Sequence, residues 1–242
     1  MKTKLYLIPG TLCNARLWSE LVPYLSDYEL VHLPIPSGSD PDQLVEHLAS
    51  ALPPHKSALL GFSLGAYLAS LLTVRYPEKV AGLMLVSNSP GPLSTEELIS
   101  RQHSLKLITD FGYKGISQKK AEALLDSAKL SPDAMQHIVK IIRQMDAELG
   151  EDALVAQLRV TSERRDLKDE LLKLTFPIYF VYSEQDPLIN SNWMQDFILS
   201  SQICNQQYSQ VVFHAVAGSG HMLPLEQPAL LSHSIKQWLS EL

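Results

Sequence analysis

A serine hydroxyl is a weak nucleophile near neutral pH. It becomes a strong one when a histidine takes its proton and a carboxylate orients that histidine. Ser63 is the serine of this chain that stands in a setting suited to such chemistry. It sits in Gly61-Phe62-Ser63-Leu64-Gly65, a G-x-S-x-G pattern. The pattern alone is short enough to arise by chance, and a plain turn with a capping serine is its simplest reading. Its flanks argue for more: the apolar run Ser57–Leu60 precedes it, and Leu64 to Tyr76, apolar on most sides, follows. A strand, a sharp turn and a buried helix put a hydroxyl above a sheet edge, beside the free N–H groups of a helix start. Glycine at 61 and 65 removes the side chains that would collide across so tight a turn.

The histidine must reach Ser63 from another loop. Of the eight histidines, only His221 lies in a glycine-bearing loop after the last strand-like run, in Gly218-Ser-Gly-His-Met-Leu-Pro224. His214 falls within a strand and His32 at a strand end. His47, His55, His103, His137 and His233 fall on helical or loop surfaces. No histidine pair has metal-ligand spacing, so no metal or other cofactor is expected. The carboxylate should lie at the C-terminal end of a neighbouring strand. Asp186, in Tyr182-Ser-Glu-Gln-Asp-Pro-Leu188, fits that place, with Glu184 as second choice. Ser87-Asn-Ser89, at the end of the preceding strand, offers no carboxylate. An acyl-transfer site also needs donors for an oxyanion. The expected pair is the backbone N–H of Leu64 and that of Thr11 in the loop after the first strand, with Leu12 as runner-up. Leu12, Phe62 and Tyr67 are candidates for substrate contact. Arg164-Arg165 reads as a solvated pair rather than a carboxylate site.

Six short apolar runs are available to position these groups: Leu5–Ile8, Tyr28–Leu33, Ser57–Leu60, Val80–Val86, Ile178–Tyr182 and Val211–Val216. Several are apolar at nearly every position, as strands covered on both faces are. Helical patterns lie between them, including a C-terminal stripe of Leu231, Ile235, Trp238 and Leu242. Alternation of this kind implies an α/β fold with a mostly parallel sheet. Between Val86 and Ile178 the rhythm breaks into helical patterns only. Ser131-Pro132 marks one helix start, and Met135, Ile138, Ile142, Met145 and Leu149 form its apolar stripe. We read 90–174 as a helical cap insertion, with 1–89 and 175–242 as the core.

Composition narrows the function classes. The chain is 45% hydrophobic and 19% charged, with a formal net charge of −6. No basic block points to nucleic acid. No apolar stretch approaches the roughly 20 residues of a membrane span, and the N-terminus lacks a signal-peptide pattern. Cys13 and Cys204 read as free thiols. A cytoplasmic enzyme acting on a small-molecule acyl substrate, as monomer or homodimer, is the expectation.

Over essentially its whole length the sequence resembles the α/β-hydrolase superfamily. The resemblance rests on the Pro9-Gly10-Thr11 loop, the Gly61–Tyr67 elbow, Tyr76-Pro-Glu-Lys-Val80, Asp186, and Gly220-His221 with Pro224 and Glu226-Gln-Pro228. The order Ser63, Asp186, His221 is that superfamily's order. Its members with similar elbows include carboxylesterases, thioesterases, C–C bond hydrolases, enol-lactonases and a carrier-protein methyl esterase. The resemblance implies about six strands, and a serine hydrolase that cleaves a small ester, thioester or lactone through an acyl-enzyme. A lyase or acyltransferase with the same triad, or a small-molecule receptor, is the alternative. The chain departs from the usual His-Gly of the first loop by carrying Pro9-Gly10. Ala66-Tyr67 stand where the superfamily's menaquinone-pathway lyase has an arginine. Ser63 itself argues against the dehalogenases, which use aspartate.

Overall fold

The computed structural model describes residues 2–38, 40–204 and 211–242. The side chain of Cys204 lies outside what is described. The elements run β1 (Thr3–Ile8), β2 (Tyr28–His32), α1 (Pro41–Ala51), β3 (Ser57–Phe62), α2 (Leu64–Arg75) and β4 (Val80–Val86). Then come α3 (Thr95–Phe111), α4 (Gln118–Glu122), α5 (Pro132–Val160) and α6 (Lys168–Leu171). The chain closes with β5 (Ile178–Ser183), α7 (Ser191–Cys204), β6 (Val211–Val216), α8 (Leu223–Glu226) and α9 (Pro228–Leu239). All six runs read as strands form one sheet, in the order β2-β1-β3-β4-β5-β6, and every neighbouring pair is parallel.

This order has one reversal. From β1 the chain steps outward to β2, then crosses back to β3 and proceeds the other way. The loops after β1 and β3 therefore diverge, leaving a crevice at their C-terminal ends. The Thr11 loop and the Ser63 turn leave those two strands.

Helices cover both faces, which explains why strands such as β3 are buried at every position. Residues of α1, α2, α6 and α7 pack on one face. On the other, Leu17 and Trp18 of a short 3-10 turn pack with residues of α5, α8 and α9. Ten of the twelve residues of α2 are buried, as expected of a helix that is apolar all round. Its two deep hydroxyls, Ser70 and Thr73, are satisfied by donating to Ala66 O and Ala69 O at 2.8 and 2.7 Å.

In α5, Ser131 accepts from Ala134 N at 3.2 Å and Pro132 takes the first turn. Ile138, Ile142 and Met145 are buried, while Met135 and Leu149 are only partly covered. Gly150, at φ 75°, breaks this helix. The C-terminal stripe is shorter than its pattern suggested. Leu231, Ile235 and Trp238 are fully buried, whereas Leu242 lies beyond the end of α9 and is 46% exposed.

The tightest constraint in the fold lies where α2 leaves β3. A Cβ at Gly65 would stand 2.3 Å from the carbonyl oxygens of Ile8 and Pro9. Both are backbone atoms, so no rotamer change relieves the clash. Gly65→Ala should therefore cost about 3 kcal/mol or more, read as a lower urea midpoint. Gly112→Ala, at φ 72° and ψ 163° with open space around it, should cost less, about 1–3 kcal/mol, from backbone strain alone. Equal losses in the two variants would refute the clash argument.

Candidate active site

Ser63 caps α2 with φ 51° and ψ −119°, a left-handed backbone rare for a residue with a side chain. Neighbouring strands hold it there. Its N–H donates to Val86 O at 2.9 Å, tying the turn to the end of β4. A Cβ at Gly61 would meet Gly65 O at 2.4 Å, so the arms of the turn touch backbone to backbone.

Ser63 Oγ lies 3.0 Å from His221 Nε2. His221 Nδ1 lies 2.7 Å from Asp186 Oδ2. The three residues singled out from the sequence thus meet at one point, from the ends of β3, β5 and β6. Asp186 and His221 are each only 4% exposed. The other oxygen of Asp186 accepts from Leu188 N at 2.9 Å, which fixes the carboxylate's orientation. Glu184, the second choice, is exposed. Phe62 packs its ring 5.2 Å from that of His221.

The loop that carries His221 is held largely by residues that sequence patterns did not single out. His221 N donates to Leu124 O at 2.8 Å. Asp126 accepts from Ser219 N at 3.2 Å and from Ala128 N at 3.1 Å. Glu226 accepts from Asp126 N at 2.7 Å and from Met222 N at 2.8 Å. Lys129 Nζ donates to Ala217 O. Burial raises the carboxyl pKa of Glu226 above its ordinary value, although the two N–H donors oppose that shift. Ser183 adds a bond to Gly220 O at 2.5 Å. The segment between β4 and β5 therefore grips the histidine loop directly. Glu226 belongs to a quoted motif, but nothing in the sequence linked it to Asp126.

The loop after β1 is held in the same way. Leu12 is left-handed at φ 51°, and its N–H donates to Oε1 of the buried Gln157, on α5, at 2.9 Å. That donor is thereby engaged. Among the described residues, the N–H groups of Thr11 and Leu64 donate to no protein acceptor. Gln157 carried no sequence signal, because helical periodicity does not say which polar residue faces a loop.

A cavity of about 590 Å³ opens above Ser63. Thr11, Leu12, Phe62 and His221 line its floor, and Leu107, Ile108, Ile142, Met145, Leu154 and Leu158 supply apolar wall. Tyr67 is not part of that wall. It is buried, and its hydroxyl accepts from Arg165 N at 3.0 Å. Of the arginine pair, Arg165 is exposed as expected. Arg164 differs: it is half-buried and lines the cavity, with its guanidinium 4.8 Å over the Tyr67 ring.

Two other histidines are accounted for structurally. Trp18 Nε1 donates to His32 Nδ1 at 3.2 Å, and His214 Nδ1 lies 3.1 Å from Ser234 Oγ. Burial lowers the pKa of both, favouring the neutral ring. Among the described residues no cluster of metal-ligating side chains forms, and no helix is long and apolar enough to cross a membrane.

Comparison with known proteins bears on the family and the fold. The pimeloyl-[acyl-carrier protein] methyl ester esterase of Aliivibrio fischeri (strain MJ11) is 30% identical over 202 residues, covering 76% of each chain. That of Aeromonas salmonicida (strain A449) is 29% identical over 201 residues, covering 76% of this chain and 78% of its own. The biotin biosynthesis bifunctional protein BioHC of Cellvibrio japonicus is 26% identical over 98% of this chain, which spans about half (48%) of that protein's length. Among solved structures, a thermophilic esterase from Thermogutta terrifontis superposes with a TM-score of 0.76 at 20% identity, over 99% of this chain and 90% of its own. The enol-lactonase from Burkholderia xenovorans LB400 superposes with 0.77 at 14% identity, over 100% and 92%. At such identities the structures speak for the fold alone. The profile of the alpha/beta hydrolase family matches residues 5–233, from within β1 to within α9, and the chain belongs to that family.

Proposed function

We propose that this protein hydrolyses small carboxylic esters, thioesters or lactones through a covalent acyl-enzyme, with Ser63 as nucleophile. The observation that carries the reading is the unbroken relay from Ser63 Oγ to His221 to Asp186, at 3.0 and 2.7 Å, on the floor of an apolar cavity. The esterase names of the relatives support it.

In this mechanism the neutral His221 accepts the Ser63 proton at Nε2 while its Nδ1–H donates to Asp186. The Ser63 oxygen attacks the substrate carbonyl, and the carbonyl oxygen takes up negative charge. The N–H groups of Thr11 and Leu64 receive that oxyanion, the second aided by the start of α2. His221 then passes the proton to the leaving alcohol or thiol, and water repeats the sequence to release the acid. Asp186 stays ionised and holds the imidazolium. No step calls on a cofactor. Segment 90–174 acts as a cap: it walls the cavity and, through Leu124, Asp126 and Gln157, holds two of the loops the reaction uses.

Labelling by a fluorophosphonate probe and turnover of p-nitrophenyl acetate test this directly. Both should vanish in Ser63→Ala, and kcat should fall by roughly 10⁴-fold or more in His221→Ala. A folded wild type that neither labels nor turns over would overturn the hydrolase reading in favour of a receptor. Labelling without release of free acid would favour a lyase or transferase.

The Gln157 contact makes a second prediction. Gln157→Leu leaves the Leu12 N–H unpaired in a half-buried loop, at a cost of about 1 kcal/mol, and displaces Thr11. Its kcat on p-nitrophenyl acetate should fall roughly 10-fold with KM little changed, and Gln157→Glu, which keeps an acceptor, should recover most of the loss. Unchanged kcat in Gln157→Leu would remove Gln157 from the positioning of that loop.

The third concerns Cys13, which also lines the cavity. Burial pushes its thiol up to about 12, so almost no thiolate exists near neutral pH. In the native protein at pH 8, iodoacetamide should leave the Cys13 peptide unmodified by mass spectrometry, while the unfolded protein reacts. Rapid native alkylation would make Cys13 a competing nucleophile.

A further inference from the structure

The apolar wall of the cavity is interrupted by Glu97 and Arg101 on α3 and by Arg164. The acid is already engaged. Arg101 Nη2 and Nε donate to Glu97 Oε1 at 2.7 and 3.1 Å. Arg101 Nη1 donates to Thr161 Oγ1 and Thr161 O at 3.0 and 3.3 Å. Arg164 has no such partners. Among the described residues it donates no hydrogen bond, and its Nε is buried without an acceptor. Its guanidinium lies over the Tyr67 ring, which orients it but uses none of its five N–H donors. Desolvation depresses its pKa to about 10 and Arg101 adds repulsion, so it remains charged at neutral pH. Two cations thus share one carboxylate. The same cavity wall holds Ser87 Oγ and Asn88 Oδ1, both buried without partners. A half-buried cation whose Nε has no acceptor is costly to a fold. A ligand that brings an anion removes that cost.

We propose that Arg164 forms an anion subsite inside the cavity that takes a carboxylate carried by the substrate away from its scissile ester. This deepens the esterase reading and rests on it. The substrates implied are half-esters of dicarboxylic acids, with the ester over Ser63 and the free carboxylate on Arg164. A planar guanidinium suits that ligand because it can meet both carboxylate oxygens at once. Ser87 O–H is a further donor on the same wall.

The test compares monomethyl half-esters from succinate to suberate with neutral methyl esters of matched chain length. Esters of short hydroxy acids, with the carboxylate on the alcohol side, form a second arm and show which side the subsite serves. In the wild type, kcat/KM for the best acid-bearing ester should exceed that of its neutral match by roughly 10- to 100-fold. Arg164→Gln should abolish that preference while p-nitrophenyl acetate turnover and fluorophosphonate labelling of Ser63 stay within a few-fold. Arg164→Lys should keep part of it. No preference for any acid-bearing ester in the wild type, or a preference that persists in Arg164→Gln, overturns the subsite. Should Arg164→Gln fail to fold, the wild-type comparison and Arg164→Lys still decide. Failure of the esterase reading looks different: no ester of either kind is turned over. In that case calorimetric titration of Ser63→Ala with adipate still tests the subsite, and absence of binding overturns it.

Discussion

The backbone of Ser63 is the constraint on which the site depends. A φ of 51° on a residue with a side chain costs about 1–3 kcal/mol and persists only where the surroundings over-determine it. Here they do. β3 is paired on both sides, by β1 and by β4, and the N–H of the strained residue is itself bonded to Val86 O. The helix that follows is buried almost throughout, so it cannot swing to relax the turn. The glycines at 61 and 65 make the geometry possible, because any Cβ there would stand 2.3–2.4 Å from a carbonyl oxygen. Gly10 completes the set: a Cβ on it would press on the Phe62 ring at 2.9 Å. One strained residue thus dictates small residues on two loops and a fully buried helix behind it.

What the sheet does for Ser63, the helices between β4 and β5 do for the rest of the site. The loops after β1 and β6 are held at the sheet edge in part by its own residues, such as Ser183 against Gly220 O. Each is also tied to that helical segment. Gln157 holds the Leu12 N–H, and Leu124 O with Asp126 holds the loop of His221. The geometry of the proposed relay is therefore not a property of the sheet alone. Displacing the segment would loosen the histidine loop and the proposed oxyanion loop together, while leaving the elbow intact. This division ties substrate-cavity shape to loop position, because the helices that wall the cavity are those that hold the loops.

Much of this arrangement was legible in the sequence, for reasons that can be named. Buried parallel strands need apolar residues on both faces, so their runs were visible, and Val80–Val86 and Val211–Val216 match to the residue. The elbow was visible because its backbone tolerates so few residue types. Asp186 and His221 were singled out by their place after strands, and the fold brings both to Ser63. Other features were silent. Gln157, Asp126 and Leu124 act through hydrogen bonds between segments far apart in sequence, and a helix pattern gives a buried face without saying what it faces. Two charged neighbours, Arg164 and Arg165, read alike as surface. Only the fold separates them, exposing one and laying the other over Tyr67. Tyr67 itself followed the nucleophile closely in sequence, yet α2 turns its side chain into the core beneath that arginine rather than into the cavity.

The electrostatics of the cavity connect these observations. Apolar walls lower the effective dielectric, and each fixed dipole or charge inside counts for more than it would in water. That benefits the proposed oxyanion donors, Thr11 and Leu64, which must act without reorganising. The same environment penalises Arg164, which keeps its charge with little compensation. A wholly apolar cavity would avoid the penalty at no loss to the elbow, the histidine loop or the sheet, since Arg164 bonds to none of them. Tyr67 N–H and hydroxyl contacts do not require it either: the Tyr67 hydroxyl is served by the Arg165 backbone, and only its ring meets the guanidinium. The cation is thus unexplained by folding alone, and an anionic ligand group is the simplest partner that would settle its charge.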